Sequence, residues 1–189
     1  LAAQTGTIEW SAVKDENLFK LASGTDALLS VQDEKTFTGK LWVVGSGKDT
    51  QASGIWAAGD KAKAVNTGAI YVTAEGEGKS WSQHAMGAAN GAEAVNEGTI
   101  VARNAYGMFI GTETNGKAPA TIRNNGVIYV ETQGAAMELG GVSGSTAINE
   151  GRIEAGKPAD EAINGMKFTH GVLINTAGNT FTNKGVINA

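Results

Sequence analysis

The chain has 189 residues, 41% of them hydrophobic, with 27 Gly, 2 Pro, no Cys and only 18% charged residues. That much apolar material can bury a continuous core, which argues against disorder, and Gly without a three-residue period excludes collagen. A net charge of -4 and a pI near 5.2, with no run of Lys or Arg, exclude the basic footprint that phosphate neutralisation requires, so no nucleic-acid partner is expected.

Lack of Cys removes disulfides, thiolate metal sites and Cys nucleophiles, and is compatible with export, because a thiol-free chain cannot mispair in an oxidising compartment. No apolar run approaches the roughly 20 residues that span a bilayer. The start at Leu1, without initiator Met or signal peptide, reads as a piece of a longer chain whose targeting and anchoring segments lie elsewhere.

In chain order, the first copy of a recurring phrase is Gln4-Thr5-Gly6-Thr7-Ile8. Residues 11–24, including Lys14-Asp15-Glu16-Asn17-Leu18-Phe19, fit the repeat badly and are expected as a loop, a short helix or an insertion. The phrase returns at Phe37-Thr38-Gly39-Lys40-Leu41, Ala64-Val65-Asn66-Thr67-Gly68-Ala69-Ile70, Ala94-Val95-Asn96-Glu97-Gly98-Thr99-Ile100, Asn124-Asn125-Gly126-Val127-Ile128, Ala147-Ile148-Asn149-Glu150-Gly151-Arg152-Ile153 and Asn183-Lys184-Gly185-Val186-Ile187. The marker glycines recur every 25 to 34 residues, an elastic period expected of a solenoid whose strands are fixed and whose loops vary.

Asn and Gly both enter the φ > 0 region readily, so Asn-x-Gly is expected to be a bend, with Asn66, Asn96, Asn124, Asn149 and Asn183 stacked into a hydrogen-bonded turn ladder beside Gly68, Gly98, Gly126, Gly151 and Gly185. After the bend residues alternate. Ile70, Ile100, Ile128, Ile153 and Ile187 point inward, and Trp42, Tyr71, Val101 and Tyr129 point outward.

A second strand aligns midway through each unit at Ala27-Leu28-Leu29, Gly54-Ile55-Trp56, Ala85-Met86-Gly87, Gly107-Met108-Phe109, Ala136-Met137-Glu138 and Gly171-Val172-Leu173. The Ala-Val or Ala-Ile pair before each Asn supplies a third. The predicted fold is all-β: one right-handed parallel β-helix over residues 1–189, with about seven rungs and a triangular core. Helical repeats are excluded because Asn-x-Gly recurs where a helix would break, and leucine-rich repeats because Leu is scarce.

The repeat also tests proposed chemistry, since successive rungs lie about 4.8 Å apart. His84 and His170 share a column three rungs apart, about 14 Å, too far to chelate one metal, and are expected as unrelated surface or corner residues. Glu9 and Glu154, and the turn residues Glu97 and Glu150, are likewise too dispersed for the acidic cluster that β-helix polysaccharide enzymes use. No catalytic residue, metal or cofactor is expected.

Gly111-Thr112-Glu113-Thr114-Asn115-Gly116-Lys117 approaches a phosphate-binding loop, but Ala118 stands where Ser or Thr belongs; Gly78-Lys79-Ser80 is a weaker echo. Gly140-Gly141-Val142-Ser143-Gly144 lacks the Asp of a calcium-binding repeat and reads as a loop. Outward aromatics stand above this background: Trp42, Tyr71 and Tyr129 after the bend, and Trp56 and Phe109 on the second strand. They are candidates for stacking sugars or docking a partner, the alternative being cross-strand packing.

The Asn-x-Gly-x-Ile phrase, the midway Gly-Ile or Ala-Met strand and the elastic period near 30 resemble the passenger domains of bacterial autotransporters. That resemblance implies export through the outer membrane of a Gram-negative bacterium and display at the cell surface on a C-terminal barrel absent from this sequence. It also implies a role in adhesion, self-association or biofilm formation. The expected function is a non-enzymatic adhesin that binds host or matrix glycans or proteins, or copies of itself. The alternatives are a polysaccharide lyase or hydrolase on the same fold, or a structural spacer for an effector domain elsewhere.

Overall fold

The structure is a computed structural model that describes residues 1–76, 82–113, 115–156 and 169–189. Gly78, Lys79, Ser80 and Thr114, and with them parts of the two loop motifs, lie outside the described residues. Among the described residues the chain is all-β apart from one 3-10 turn, Trp10–Ala12, and every strand pairing is parallel.

Strands stack in three faces, as the repeat requires. The first face runs through Glu16–Leu21, Lys40–Ser46, Ala69–Glu75, the starts of Thr99–Ile110 and Val127–Leu139, then Arg152–Ala155 and Val186–Asn188. The second holds Gly24–Val31, Thr50–Ala58, His84–Ala89, the ends of those two long strands, and Thr169–Ile174. The third is a separate six-stranded sheet of Glu34–Phe37, Lys63–Asn66, Glu93–Asn96, Thr121–Asn124, Thr146–Asn149 and Thr180–Asn183. The long strands turn the corner between the first two faces where Asn104, Gln133 and Gly134 take positive φ and the register shifts after Ala102.

Columns of like residues fill the interior. Leu41, Ile70, Ile100, Ile128, Ile153 and Ile187 stand in register on the first face, and Leu29, Ile55, Met86, Met108, Met137 and Val172 on the second. Leu41, Ile70, Ile100, Met86 and Met108 are fully buried, each contributing about 1.5–3 kcal/mol through loss of apolar surface to water. The second column corrects the sequence alignment by one residue in its first copy, where Leu29 rather than Leu28 pairs with Ile55.

The Asn ladder forms as expected. Asn66 donates to Asn96, Asn96 to Asn124, Asn124 to Asn149 and Asn149 to Asn183 at 2.8–2.9 Å, with Asn66, Asn96, Asn124 and Asn149 fully buried. Phe37 occupies the foot of this column, where no amide is available.

The marker glycines are required for a reason other than the bend. None of Gly68, Gly98, Gly126, Gly151 and Gly185 lies at positive φ, and neither do the ladder asparagines. Each glycine instead sits directly over the carbonyl of the marker below, which accepts a hydrogen bond from the next residue, as Gly68 O does from Thr99 N at 3.0 Å. A Cβ on any of them would enter that oxygen.

The first copy of the phrase is also displaced. Lys40 N donates to Asp15 O at 2.7 Å, and a Cβ on Gly39 would meet the same oxygen, so Asp15 holds the place the repeat gave to Gly6. Residues 11–24 are therefore mostly part of the stack, with strand Glu16–Leu21 beneath Lys40–Ser46. Gly6-Thr7-Ile8 instead lies along the second face, where Ile8 N donates to Leu28 O at 2.9 Å.

Candidate functional site

On the first face, alternation throws Trp42, Tyr71, Val101 and Tyr129 into one outward column, in consecutive register. Trp42 and Tyr71 stack with centroids 5.3 Å apart and planes at 13°, so part of their surface is satisfied by each other. Val101 breaks the stack and leaves Tyr129 43% exposed, the only exposed aromatic among the described residues. A shallow groove of about 260 Å³ borders this column, lined in part by Trp42, Tyr71, Arg103 and Glu131.

The second face carries a denser cluster. Trp56 and Phe109 occupy one outward column with Gly87 between them, their rings 6.1 Å apart. The missing side chain at 87 is what lets the indole lie down: a Cβ there would strike the six-membered ring of Trp56, and one at Gly111 would come within 2.6 Å of its far edge. The indole N–H donates to the Glu113 carboxylate.

His84 stacks on Phe109 at 4.1 Å and 4°, and on Tyr106 at 5.8 Å and 10°. Its place in the repeat suggested the surface or a corner; the structure buries it, because the rings of its neighbours on the next strand cover it. Burial lowers its pKa to about 3, so the ring is neutral at physiological pH. Its Nδ1 lies 3.1 Å from Ser53 Oγ, a contact that sequence could not reveal, since 31 residues separate the pair. Burial disfavours the protonated imidazole, which weakens it as a general base toward the Ser53 hydroxyl. His170 is half-buried in the same column, three strands on, as the spacing predicted.

Beside Trp56 opens a cleft of about 440 Å³. Its walls include Asp26, Ser30, Gln51, Trp56, Phe109 and Glu113, with no Lys or Arg among the described residues that line it. Asp26 is fixed by Thr7 Oγ1 at 2.9 Å and by the amide of Ala27 at 2.8 Å. The cleft gathers Trp56 and Phe109 with polar groups from two strands, Gly24–Val31 and Thr50–Ala58, and from the segments at Thr7 and at Thr112–Glu113; the first-face aromatics lie elsewhere.

Glu138 joins the same column, where the repeat aligned it with Phe109, but nothing in the repeat signalled its burial. It takes the next position after Phe109 and is buried, and burial raises its pKa to about 7 although Asn175 donates to it. Burial and the Glu138 charge together push the Tyr106 phenol upward. On the third face, Lys63, Glu93, Arg123, Glu150 and Lys184 form an alternating ladder of ion pairs at 3.0–3.8 Å. Glu150, read from the sequence as a turn residue outside any acidic cluster, thus has partners: Lys184 and Arg123 lower its pKa. No group of three or more His, Cys, Asp or Glu able to hold a metal occurs among the described residues.

Stacked parallel strands with ladders of like residues place the chain among β-helix-like proteins. Residues 101–175, less than half of the chain, match the family model described as the BigA third pectate lyase-like domain. That stretch contains Phe109, Tyr129 and Glu138 and leaves out Trp42, Trp56, Tyr71 and His84. Comparison with curated proteins and with solved structures gave no match. No helix among the described residues is long and apolar enough to cross a membrane.

Proposed function

We propose that this chain is an interaction segment of a bacterial surface or secreted protein: a right-handed parallel β-helix of about seven rungs, acting as a non-enzymatic adhesin or self-associating passenger. The similarity of residues 101–175 to a BigA pectate lyase-like domain supports a surface-associated β-helix. The observation that carries the binding role is aromatic surface held at defined spacing: Tyr129 exposed above the Trp42–Tyr71 stack, and Trp56 with Phe109 at the wall of a polar cleft. The partner is a host or matrix glycan or protein, or a second copy of the chain. Anchoring to the outer membrane would depend on a barrel outside this sequence.

Binding of the purified chain to glycan and matrix arrays, run beside sedimentation velocity, tests this reading. Tyr129→Ala and the Trp42→Ala/Tyr71→Ala pair are expected to reduce binding or self-association with the fold intact by circular dichroism. Wild-type binding and sedimentation in all of them would remove the first-face aromatics from the function.

A second reading, a polysaccharide-active enzyme, has the pectate lyase-like name of the matched family in its favour. Release of reducing ends or unsaturated products from uronate polymers by the purified chain would establish it.

A further inference from the structure

We propose that the cleft beside Trp56 is a saccharide subsite that takes an uncharged hexopyranose unit and discriminates against uronates; this deepens the interaction-module reading and rests on it. A pyranose has an apolar C–H face and a rim of hydroxyls, so its site needs an aromatic wall next to fixed hydrogen-bond partners. Trp56 and Phe109 supply the wall, and Gly87 and Gly111 are the residues whose small size keeps the indole flat against the strands. Asp26, Ser30, Gln51 and Glu113 supply acceptors and donors around it.

Two of these partners are fixed before any sugar arrives. Asp26 is held by Thr7 and the Ala27 amide, and Glu113 by the indole N–H, so little side-chain freedom is lost on binding. The volume of about 440 Å³ lies within the range of small-molecule sites.

Charge sets the specificity. Among the described residues that line it are two carboxylates and no Lys or Arg, so a uronate carboxylate entering here would be desolvated beside like charges. Hydroxyls suffer no such cost and gain charge-assisted bonds to the same oxygens. The cleft therefore separates a neutral-glycan binder from a polyuronate binder, whatever name its relatives carry.

The test is calorimetric and fluorescence titration of the purified chain with gluco- and galacto-oligosaccharides, with polygalacturonate as the anionic arm. Saturable binding of a neutral oligosaccharide is expected, weakened about tenfold by Trp56→Ala and unchanged by Glu97→Gln at an exposed bend outside the cleft. Should Trp56→Ala unfold the chain, the Asp26→Asn/Glu113→Gln double variant gives an independent reading: its preference for neutral sugar over polygalacturonate should fall. Tighter binding of polygalacturonate than of neutral sugar by the native chain would overturn the specificity. If matrix protein binding or self-association persists with no saccharide bound, the subsite is wrong and the interaction-module reading survives. Silence in every arm would overturn both.

Discussion

Replacing Gly98 separates two explanations for the recurring shape of the bend. If the marker glycine served a left-handed turn, Asn would serve nearly as well, because Asn tolerates positive φ. The structure gives Gly98 no such conformation and instead puts Thr67 C and Thr67 O at 2.8 and 2.9 Å from any Cβ, with Gly68 O closer still. All three are backbone atoms of the strand stack below, which cannot swing aside. Accommodating a methyl group means prising the layers apart and stretching the 3.0 Å bond from Thr99 N to Gly68 O. Overpacking costs about 1–3 kcal/mol and a weakened buried hydrogen bond about 1 kcal/mol more, so Gly98→Ala and Gly98→Asn should both lose roughly 2–4 kcal/mol. In a chain of this size that lowers the thermal midpoint by on the order of 10 °C. Gly24, at φ 74 with no atom within 4 Å of where a Cβ would stand, is the control, and Gly24→Asn should be nearly neutral. Thermal melts by circular dichroism suffice. A Gly98→Asn protein that melts with the native chain while Gly98→Ala does not would refute the close-approach account.

Asn96→Ala should cost on the order of 3 kcal/mol, because it strands the amide of Asn66 and the carbonyl of Asn124 in the interior, whereas Asn183→Ala at the exposed end of the ladder should cost under about 1 kcal/mol; urea midpoints compare them. Glu138 binds its proton more tightly folded than unfolded, so its contribution to stability is complete at acid pH and is lost as pH rises from about 4.5 to about 7. Glu138→Gln should therefore be more stable than the native chain at pH 8 and show a flatter profile over that window; an unchanged profile would mean the carboxyl is not desolvated. His84 works in the opposite direction: its neutral ring favours the fold above pH 6.5, and that contribution falls as pH drops towards about 3.

The strand stacks were legible in the sequence wherever a residue type recurs in register, since a column repeats its chemistry on every layer. Asn66 to Asn183, Ile70 to Ile187 and Met86 to Met137 all announced themselves in this way. The first layer did not. Its strand Glu16–Leu21 alternates Asn17, Phe19 and Leu21 inward, yet Val13-Lys14-Asp15 replaces the Asn-x-Gly marker, so the pattern points to Gly6 instead. Asn17 stands below Leu41 in a column of Leu and Ile, and it is tolerated there because its side chain closes on Lys14 and Lys40 backbone oxygens.

Candidate residues followed the same rule: the Trp42–Tyr71–Tyr129 column was readable, and so was the pairing of Trp56 with Phe109. The acidic groups of the cleft and the burial of His84 and Glu138 were not. Glu113 lies on a loop after Ile110 and Glu138 takes its partner from Asn175, neither of which has a counterpart in the other layers, while His84 is covered by the Tyr106 and Phe109 rings, a contact that alignment of like residues does not announce.

That departure is itself informative. On the third face five successive layers carry the amide ladder from Asn66 to Asn183, with an ion-pair ladder from Lys63 to Lys184 outside, which is what a face used for stacking requires. The second face breaks its own pattern at successive layers: Ser30, Trp56, Gly87, Phe109, Glu138 and Leu173 share one outward column. Stacking alone would favour like residues there, as it does in the Met column one position away. A column of six different residues, holding a flat indole and a desolvated carboxyl, has stability costs that the fold does not require. It is the face on which a ligand would account for what stacking does not.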